Sequence, residues 1–543
     1  MASYLSGLSP VNTFPAYNGK YDVGTVDVEI PVSDLPAASD APEGAVSTIA
    51  FRIFYPCQTP GKGETHRPVR WVPQPQRETI SAFAKFLGAG SKLASFLSFM
   101  PQHLFWIKLP AHRNAEMLEP PTTTKRWPVT MFSHGLAGSR NTYSFICGDM
   151  ASKGMVVIAL DHRDGSSPLQ HVRATADTPA CSIPAVKIPH TASSETFEGR
   201  DKQLRIRLWE ASMAFEALMK IDSGQKMENM DENTSWSKKE RTEVLGRFEG
   251  MLDIHRPGTV SWTGHSFGAA TTVQLLKNIF YYREKPADAT KPLIVPNSDA
   301  AIIQQIMPES PTLLLDMWCL PFRSPDQRWL LERPLPSYHT GGPQGDNILS
   351  VLSEGFFKWR ENCDVTKQII SPPRSSARTS TEKTKLPPNL ERLRDDSPAS
   401  SMRDSGYASD SSSQQGGKPS DSPTRTKGPH MFYPLHSQHF NQSDFGVLFP
   451  WITKKFAKAE EPEYIIDLNV RAMVQVMREA GIEIGDEADS EILDADKKLR
   501  NWVHIPLGGA QEANVPAAVG RKLSSANQTP NDSAAVGSGS MEM

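Results

Sequence analysis

The stretch Trp262-Thr263-Gly264-His265-Ser266-Phe267-Gly268-Ala269-Ala270 constrains this chain more than any other. A serine with glycines two positions to either side, Gly-x-Ser-x-Gly, suits a sharp turn from a strand into a helix. Such a turn holds the hydroxyl clear of the backbone, where a base can reach it. The strained backbone leaves room only for small residues at the two flanks. A pattern this short also arises by chance, so its surroundings must decide. Thr259 to Trp262 is a β-prone run ahead of the turn. Ala269 to Tyr282 behind it is helix-length, with Val273, Leu276 and Phe280 at helical spacing. The plain alternative is a Gly-rich turn in an ordinary βα unit.

The preceding chain supplies a parallel sheet. Tyr21 to Ile30 alternates and Ser47 to Tyr55 is β-prone, which together suggest an antiparallel edge. Trp127 to Ser133 reads as a buried strand, Asn141 to Lys153 as a helix ended by Gly154, and Met155 to Leu160 as another buried strand. Strand, helix, strand in that order is a βαβ unit. His134-Gly135-Leu136 follows the first of these strands directly, the position from which α/β-hydrolases draw an oxyanion-hole amide. Residues 166–195 lack periodicity and read as a long loop, and Phe197 to Ile221 as an amphipathic helix. Pro311 to Leu315 is a buried strand ending in Asp316, where an α/β sheet presents functional groups. Residues 345–362 look helical, and Asp467 to Ala480 is a helix with Leu468, Ala472 and Val476 on one face.

Composition matters in three places. From about Ser371 to Pro429 large apolar residues nearly vanish, so the segment cannot offset the entropy of ordering and reads as a disordered insertion. The division expected is a first catalytic part over 20–365, the insertion over 371–429, a C-terminal catalytic part over 430–515 and a disordered tail over 523–543. The net charge of −3 offers no global field for nucleic acid or an anionic membrane. Five cysteines without a CxxC pair, no secretory signal in Met1 to Gly19 and no run of eighteen apolar residues lead to the expectation of a cytoplasmic protein. Residues 96–107 crowd Phe96, Leu97, Phe99, Met100, Leu104, Phe105, Trp106 and Ile107. That segment suits either peripheral contact with a lipid interface or a cap helix on the core, and apolar segments more often belong to a core.

A serine nucleophile needs a base, and the base an orienting acid. In α/β-hydrolases the chain order is serine, acid, histidine. Ser266, Asp316 and His439 satisfy it; His436 and His504 compete as base and Asp364 as acid. His265 lies inside the elbow and is expected to point away from the serine. His436 and His439 would be an incomplete metal pair, with no carboxylate or cysteine cluster nearby.

Taken together, these stretches resemble the platelet-activating-factor acetylhydrolases of the plasma and intracellular type II kind. The resemblance rests on Phe132-Ser133-His134-Gly135-Leu136, Leu160-Asp161-His162-Arg163-Asp164, the elbow, Leu315-Asp316-Met317-Trp318, and His439 with Asp444-Phe445 after it. It implies the α/β class: an α/β-hydrolase with a mostly parallel central sheet flanked by helices and an antiparallel N-terminal edge. It also implies a calcium-independent serine esterase that needs no cofactor or metal and cleaves the short sn-2 acyl group of a phospholipid substrate. Carried over by position, Ser266 is nucleophile, His439 general base and Asp316 its partner, and the amides of Leu136 and Phe267 form the oxyanion hole. A general carboxylesterase, or an inactive scaffold whose insertion binds partners, are the rival readings.

Overall fold

The computed structural model describes residues 13–59, 61, 67–86, 102–286, 291–373, 427–485 and 489–507. Its strands in chain order are β1 (Asp22–Pro31), β2 (Thr48–Cys57), β3 (His112–Arg113), β4 (Trp127–Ser133), β5 (Val156–Asp161), β6 (Leu169–Val172), β7 (Cys181–Pro184), β8 (Leu252–Asp253), β9 (Ser261–His265), β10 (Thr312–Leu315), β11 (Ile348–Val351), β12 (His430–Pro434) and β13 (Trp502–His504). The main sheet runs β13-β12-β11-β10-β9-β4-β5-β2-β1-β3. The six strands from β12 to β5 are mutually parallel. β2 and β1 continue the sheet as an antiparallel edge, and β13 closes the other end antiparallel to β12. This is the mostly parallel, helix-flanked sheet of an α/β-hydrolase.

Side-chain alternation builds two core layers. On β5, Val156, Ile158 and Leu160 face one layer with Trp127, Trp209 and Trp262; Val157 and Ala159 face the other with Phe132, Phe145 and Phe432. Helices Ser194–Asp222 and Phe267–Tyr281 cover the first face. Helices Ser144–Ser152 and Pro462–Glu479 cover the second. Each fully buried large apolar side chain contributes about 1.5–3 kcal/mol, so both layers hold the sheet. Strand order reverses direction between β4 and β9: one crossover goes outward to β5, the later ones to β10 and β11. The crevice at such a switch point, beyond the C-terminal strand ends, is where open α/β sheets bind ligands. Ser133 and His265 end the two strands there.

Two elements differ from the sequence reading. Residues 345–362 are not helical throughout: Ile348–Val351 is a buried strand paired with β10 and β12, and helices Glu354–Lys358 and Arg360–Ile370 follow it. A four-residue apolar run has too few positions for its period to be read, and the sheet decides. Residues 166–195 are not one loop, because β6 and β7 form an antiparallel hairpin. Its exposed strand Cys181–Pro184 carries no buried side to betray it.

Most of the insertion read at 371–429, the tail at 523–543 and residues 87–101 of the apolar segment lie outside the described residues. Of the remainder of that segment, Ile107 is buried, Leu104 and Phe105 pack against the core, and Trp106 is 66% exposed with Arg70 over its ring. No helix among the described residues is long and apolar enough to cross a membrane.

Candidate active site

The glycines of the elbow are dictated by backbone contact. A Cβ on Gly264 would lie 2.3 Å from the Gly268 carbonyl oxygen, and one on Gly268 would lie 2.0 Å from that of Ser133. Between them Ser266 takes φ +57° and ψ −119°, a conformation a non-glycine residue holds only when its surroundings impose it. They do so through backbone bonds: the Ser266 N–H donates to Leu315 O at 2.9 Å, and its carbonyl accepts from Trp318 N–H at 3.2 Å. The helix begins at Phe267. Ser266 itself is buried.

Asp316 follows β10 at φ +42° and is fully buried. Its N–H donates to Val351 O at 2.9 Å, and one carboxylate oxygen accepts from the Ser353 N–H. The other oxygen lies 2.9 Å from His439 Nδ1. His439 opens a single 3-10 turn in the loop after β12. Its ring is clamped between Phe356, with centroids 4.5 Å apart and planes 8° apart, and His265, with centroids 4.3 Å apart. Ser266 Oγ makes no hydrogen bond to His439 among the described residues; such bonds are often long before substrate binds. His436 and His504 are exposed, as is Asp364 on its helix, and none of them bonds to Asp316 or His439 among the described residues.

Asp444 ties the loop of His439 to the rest of the site. Its carboxylate accepts from the N–H groups of Ser144 and Phe145 and from Trp71 Nε1, each at 2.9 Å, and so caps the helix Ser144–Ser152. Burial pushes its pKa up to about 7, against the pull of those hydrogen bonds. The helix it caps leaves the loop of His134, Gly135 and Leu136.

That loop packs against Ser266. A Cβ on Gly135 would lie 2.9 Å from Ser266 Cβ. Leu136 is half-buried and Phe267 fully buried, and neither backbone N–H has an acceptor among the described residues. Unpaired backbone donors on the segments that meet at Ser266 are of the kind that suits a developing oxyanion. Arg207, on the long helix, braces both. It donates to His134 O at 2.7 Å and lies 4.5 Å above the Phe267 ring, while Asp164 and Ser166 hold it at 2.6 Å each. Burial, and then Arg207, pull His134 down to about pKa 4, so it stays neutral and bonds Gly135 O and the His162 N–H. The sequence reading missed Arg207 and, on the same helix, Glu210, whose carboxyl lies 3.0 Å from His162 Nδ1 and accepts from the Arg163 N–H. Both are charged residues on an amphipathic helix, and only packing shows that they face inward.

His265, Asp316 and His439 offer ligand atoms within 4.8 Å of one another. Asp316 and His439 are already hydrogen-bonded to each other through Oδ2 and Nδ1, and His265 Nδ1 is 2.8 Å from the Tyr143 hydroxyl. The ring of His265, expected to point away from the serine, lies against that of His439, with centroids 4.3 Å apart.

Residues 6–326 match the family model for platelet-activating factor acetylhydrolase, isoform II. A putative phospholipase A2 of Schizosaccharomyces pombe is 26% identical over 88% of this chain and 94% of its own length. The platelet-activating factor acetylhydrolase of Cavia porcellus is 31% identical over 49% of this chain and 52% of its own length. That of Bos taurus is 28% identical over 48% and 51%. The match thus spans about half the length of these two mammalian relatives. With the family model covering more than half of it, the chain belongs to the platelet-activating factor acetylhydrolase, isoform II, family.

Proposed function

We propose that this protein is a serine esterase that hydrolyses the short sn-2 acyl ester of phospholipids, platelet-activating factor and oxidised phospholipids among them. The observation that carries the reading is the bond between His439 Nδ1 and Asp316 at 2.9 Å, beside a serine at a positive-φ elbow. Ser266 Oγ attacks the ester carbonyl carbon and passes its proton to His439 Nε2. Asp316 holds the ring by its Nδ1–H and stabilises the imidazolium. The amides of Leu136 and Phe267 receive the negative charge that develops on the carbonyl oxygen. Collapse breaks the ester bond, and the lysophospholipid alcohol leaves with the proton from His439. Water, deprotonated by the same ring, then attacks the acyl-serine and releases the acid. Backbone amides and a side-chain base supply every charge and proton in this cycle, so it runs without calcium.

The test is a series of phosphatidylcholines with sn-2 chains from acetyl to palmitoyl, assayed beside a nitrophenyl ester and in excess chelator. Preference for short chains, undiminished by chelator, is expected. Equal rates on all chain lengths, or hydrolysis of the nitrophenyl ester alone, would leave a general carboxylesterase. Loss of activity in chelator would remove the triad mechanism.

A further inference from the structure

Arg200 lies in the second turn of the helix Ser194–Asp222, whose N-cap is Ser193, and is 3% exposed. Its guanidinium lies 5.1 Å from the ring centre of Trp318 and 5.8 Å from that of Phe267. Phe267 follows Ser266 in sequence, and the Trp318 N–H donates to the Ser266 carbonyl. The cation is therefore held on the two rings that flank the elbow serine.

Its polar contacts do not balance it. Nη1 donates to Gln203 Oε1 at 2.7 Å and Nη2 to Ile188 O at 3.0 Å, while the buried Nε–H has no acceptor. No carboxylate among the described residues forms an ion pair with it. Asp164, whose charge acts on Arg200, is already paired with Arg207 at 2.6 Å. Two buried cations thus share one carboxylate. An uncompensated buried guanidinium is strongly unfavourable, which singles out a position where an anion is absent from the protein itself. The cover over it is thin: Val186, Lys187, Pro189 and His190 are exposed, and the His190 ring leans on Trp318 with centroids 5.4 Å apart.

We propose that Arg200 is the anchor for the phosphodiester group of the substrate. The proposal rests on the phospholipid reading of the site and adds a residue to it. Guanidinium presents its N–H groups as a planar fork that matches two phosphate oxygens, and the free Nε–H is one prong. A glycerophospholipid carries its phosphodiester on the carbon adjacent to the one that bears the sn-2 ester. An anion held beside Phe267 and Trp318 therefore brings the ester to Ser266. Arg200 makes and breaks no covalent bond; it binds and orients.

The experiment compares the full-length protein with Arg200→Gln and Arg200→Lys. The ratio of kcat/KM on a soluble 2-acetyl phosphatidylcholine to kcat/KM on nitrophenyl acetate is measured for each, with sn-glycero-3-phosphocholine and inorganic phosphate as competitors of nitrophenyl acetate hydrolysis. The ratio is expected to fall tenfold or more in Arg200→Gln, mainly through KM, and to be partly restored in Arg200→Lys. Competition by glycerophosphocholine should weaken tenfold in Arg200→Gln. An unchanged ratio, or a parallel loss on both substrates, overturns the proposal. So does inorganic phosphate competing as strongly as glycerophosphocholine, which would mark a free-anion site. If Arg200→Gln does not fold, Arg200→Lys decides, since an unchanged ratio there is equally fatal. If the native protein cleaves only nitrophenyl acetate, the phospholipid reading fails by itself; the glycerophosphocholine arm still tells whether Arg200 binds the headgroup.

Discussion

The imidazole of His265 lies against that of His439, with ring centroids 4.3 Å and planes 31° apart. Tyr143 joins the pair to the loop of Gly135: its hydroxyl accepts from the Gly135 N–H at 3.2 Å and lies 2.8 Å from His265 Nδ1. The hydroxyl proton is then free for Nδ1, which assigns the His265 proton to Nε2. Burial, and then the charge of His439, hold the pKa of His265 well below the usual histidine range. It therefore packs against His439 without placing a like charge beside that ring. His265→Phe should keep the ring contact and lower kcat by no more than about tenfold, the equivalent of about 1.4 kcal/mol. His265→Ala, which opens a gap beside His439, should cost more. Steady-state kinetics of the two variants at matched folded fraction is the check.

Ser266→Ala should give a folded protein with activity reduced at least about a thousandfold, because no acyl-enzyme forms. His439→Ala should lose activity on a similar scale, and His436→Ala, whose ring is exposed, little. Single-turnover assays beside circular dichroism separate lost chemistry from lost fold. Comparable losses at His436 and His439 would mean that the wrong histidine carries the proton.

A pH dependence of stability follows from Glu210. Its carboxyl lies 3.0 Å from His162 Nδ1 and accepts from the Arg163 N–H, and burial pushes it up to about pKa 8. A carboxyl raised in the fold keeps its proton there while the unfolded chain has already lost it. Its contribution is complete below about pH 4.5 and is lost as pH rises toward 8. Glu210→Gln cannot ionise, and its amide can both accept from Arg163 and donate to His162. Its stability relative to the native protein should therefore rise between about pH 5 and 8, by at most about 1.4 kcal/mol per pH unit. Denaturant melts of both proteins across that range read the difference directly; a constant offset would refute the assignment.

Replacing residues 371–429 by a short Gly/Ser linker should leave a folded and active protein. The segment joins the end of helix Arg360–Ile370 to β12, which pairs with β11. A linker long enough to reach β12 preserves that pairing. A fall in melting temperature of more than a few degrees would show that the segment packs on the body.

Trp106 is exposed beside partly buried Phe105. Trp106→Ser should weaken vesicle binding, since burying one large apolar side chain is worth about 1.5–3 kcal/mol. Co-sedimentation with phosphatidylcholine vesicles, set against turnover of a dissolved substrate, is the measurement. The ratio of vesicle-borne to dissolved turnover should fall; a parallel fall in both would place Trp106 in the core energetics instead.

The sequence by itself determined the elbow, because Gly264 and Gly268 stand where backbone meets backbone and local spacing records that demand. It also determined the βαβ order from Trp127 to Leu160, since a two-sided core writes itself as continuous apolar runs. It placed Asp316 at the end of a strand for the same reason. What it left open was which histidine meets that acid. His436 and His439 are three residues apart in one loop, and their roles diverge because the turn after β12 exposes one and clamps the other between Phe356 and His265. Likewise Arg200, Arg207 and Glu210 read as the polar residues of a surface helix. Only the packing of that helix across the sheet brings them inside, where desolvation raises the stakes of every charge and a partner, or its absence, acquires meaning.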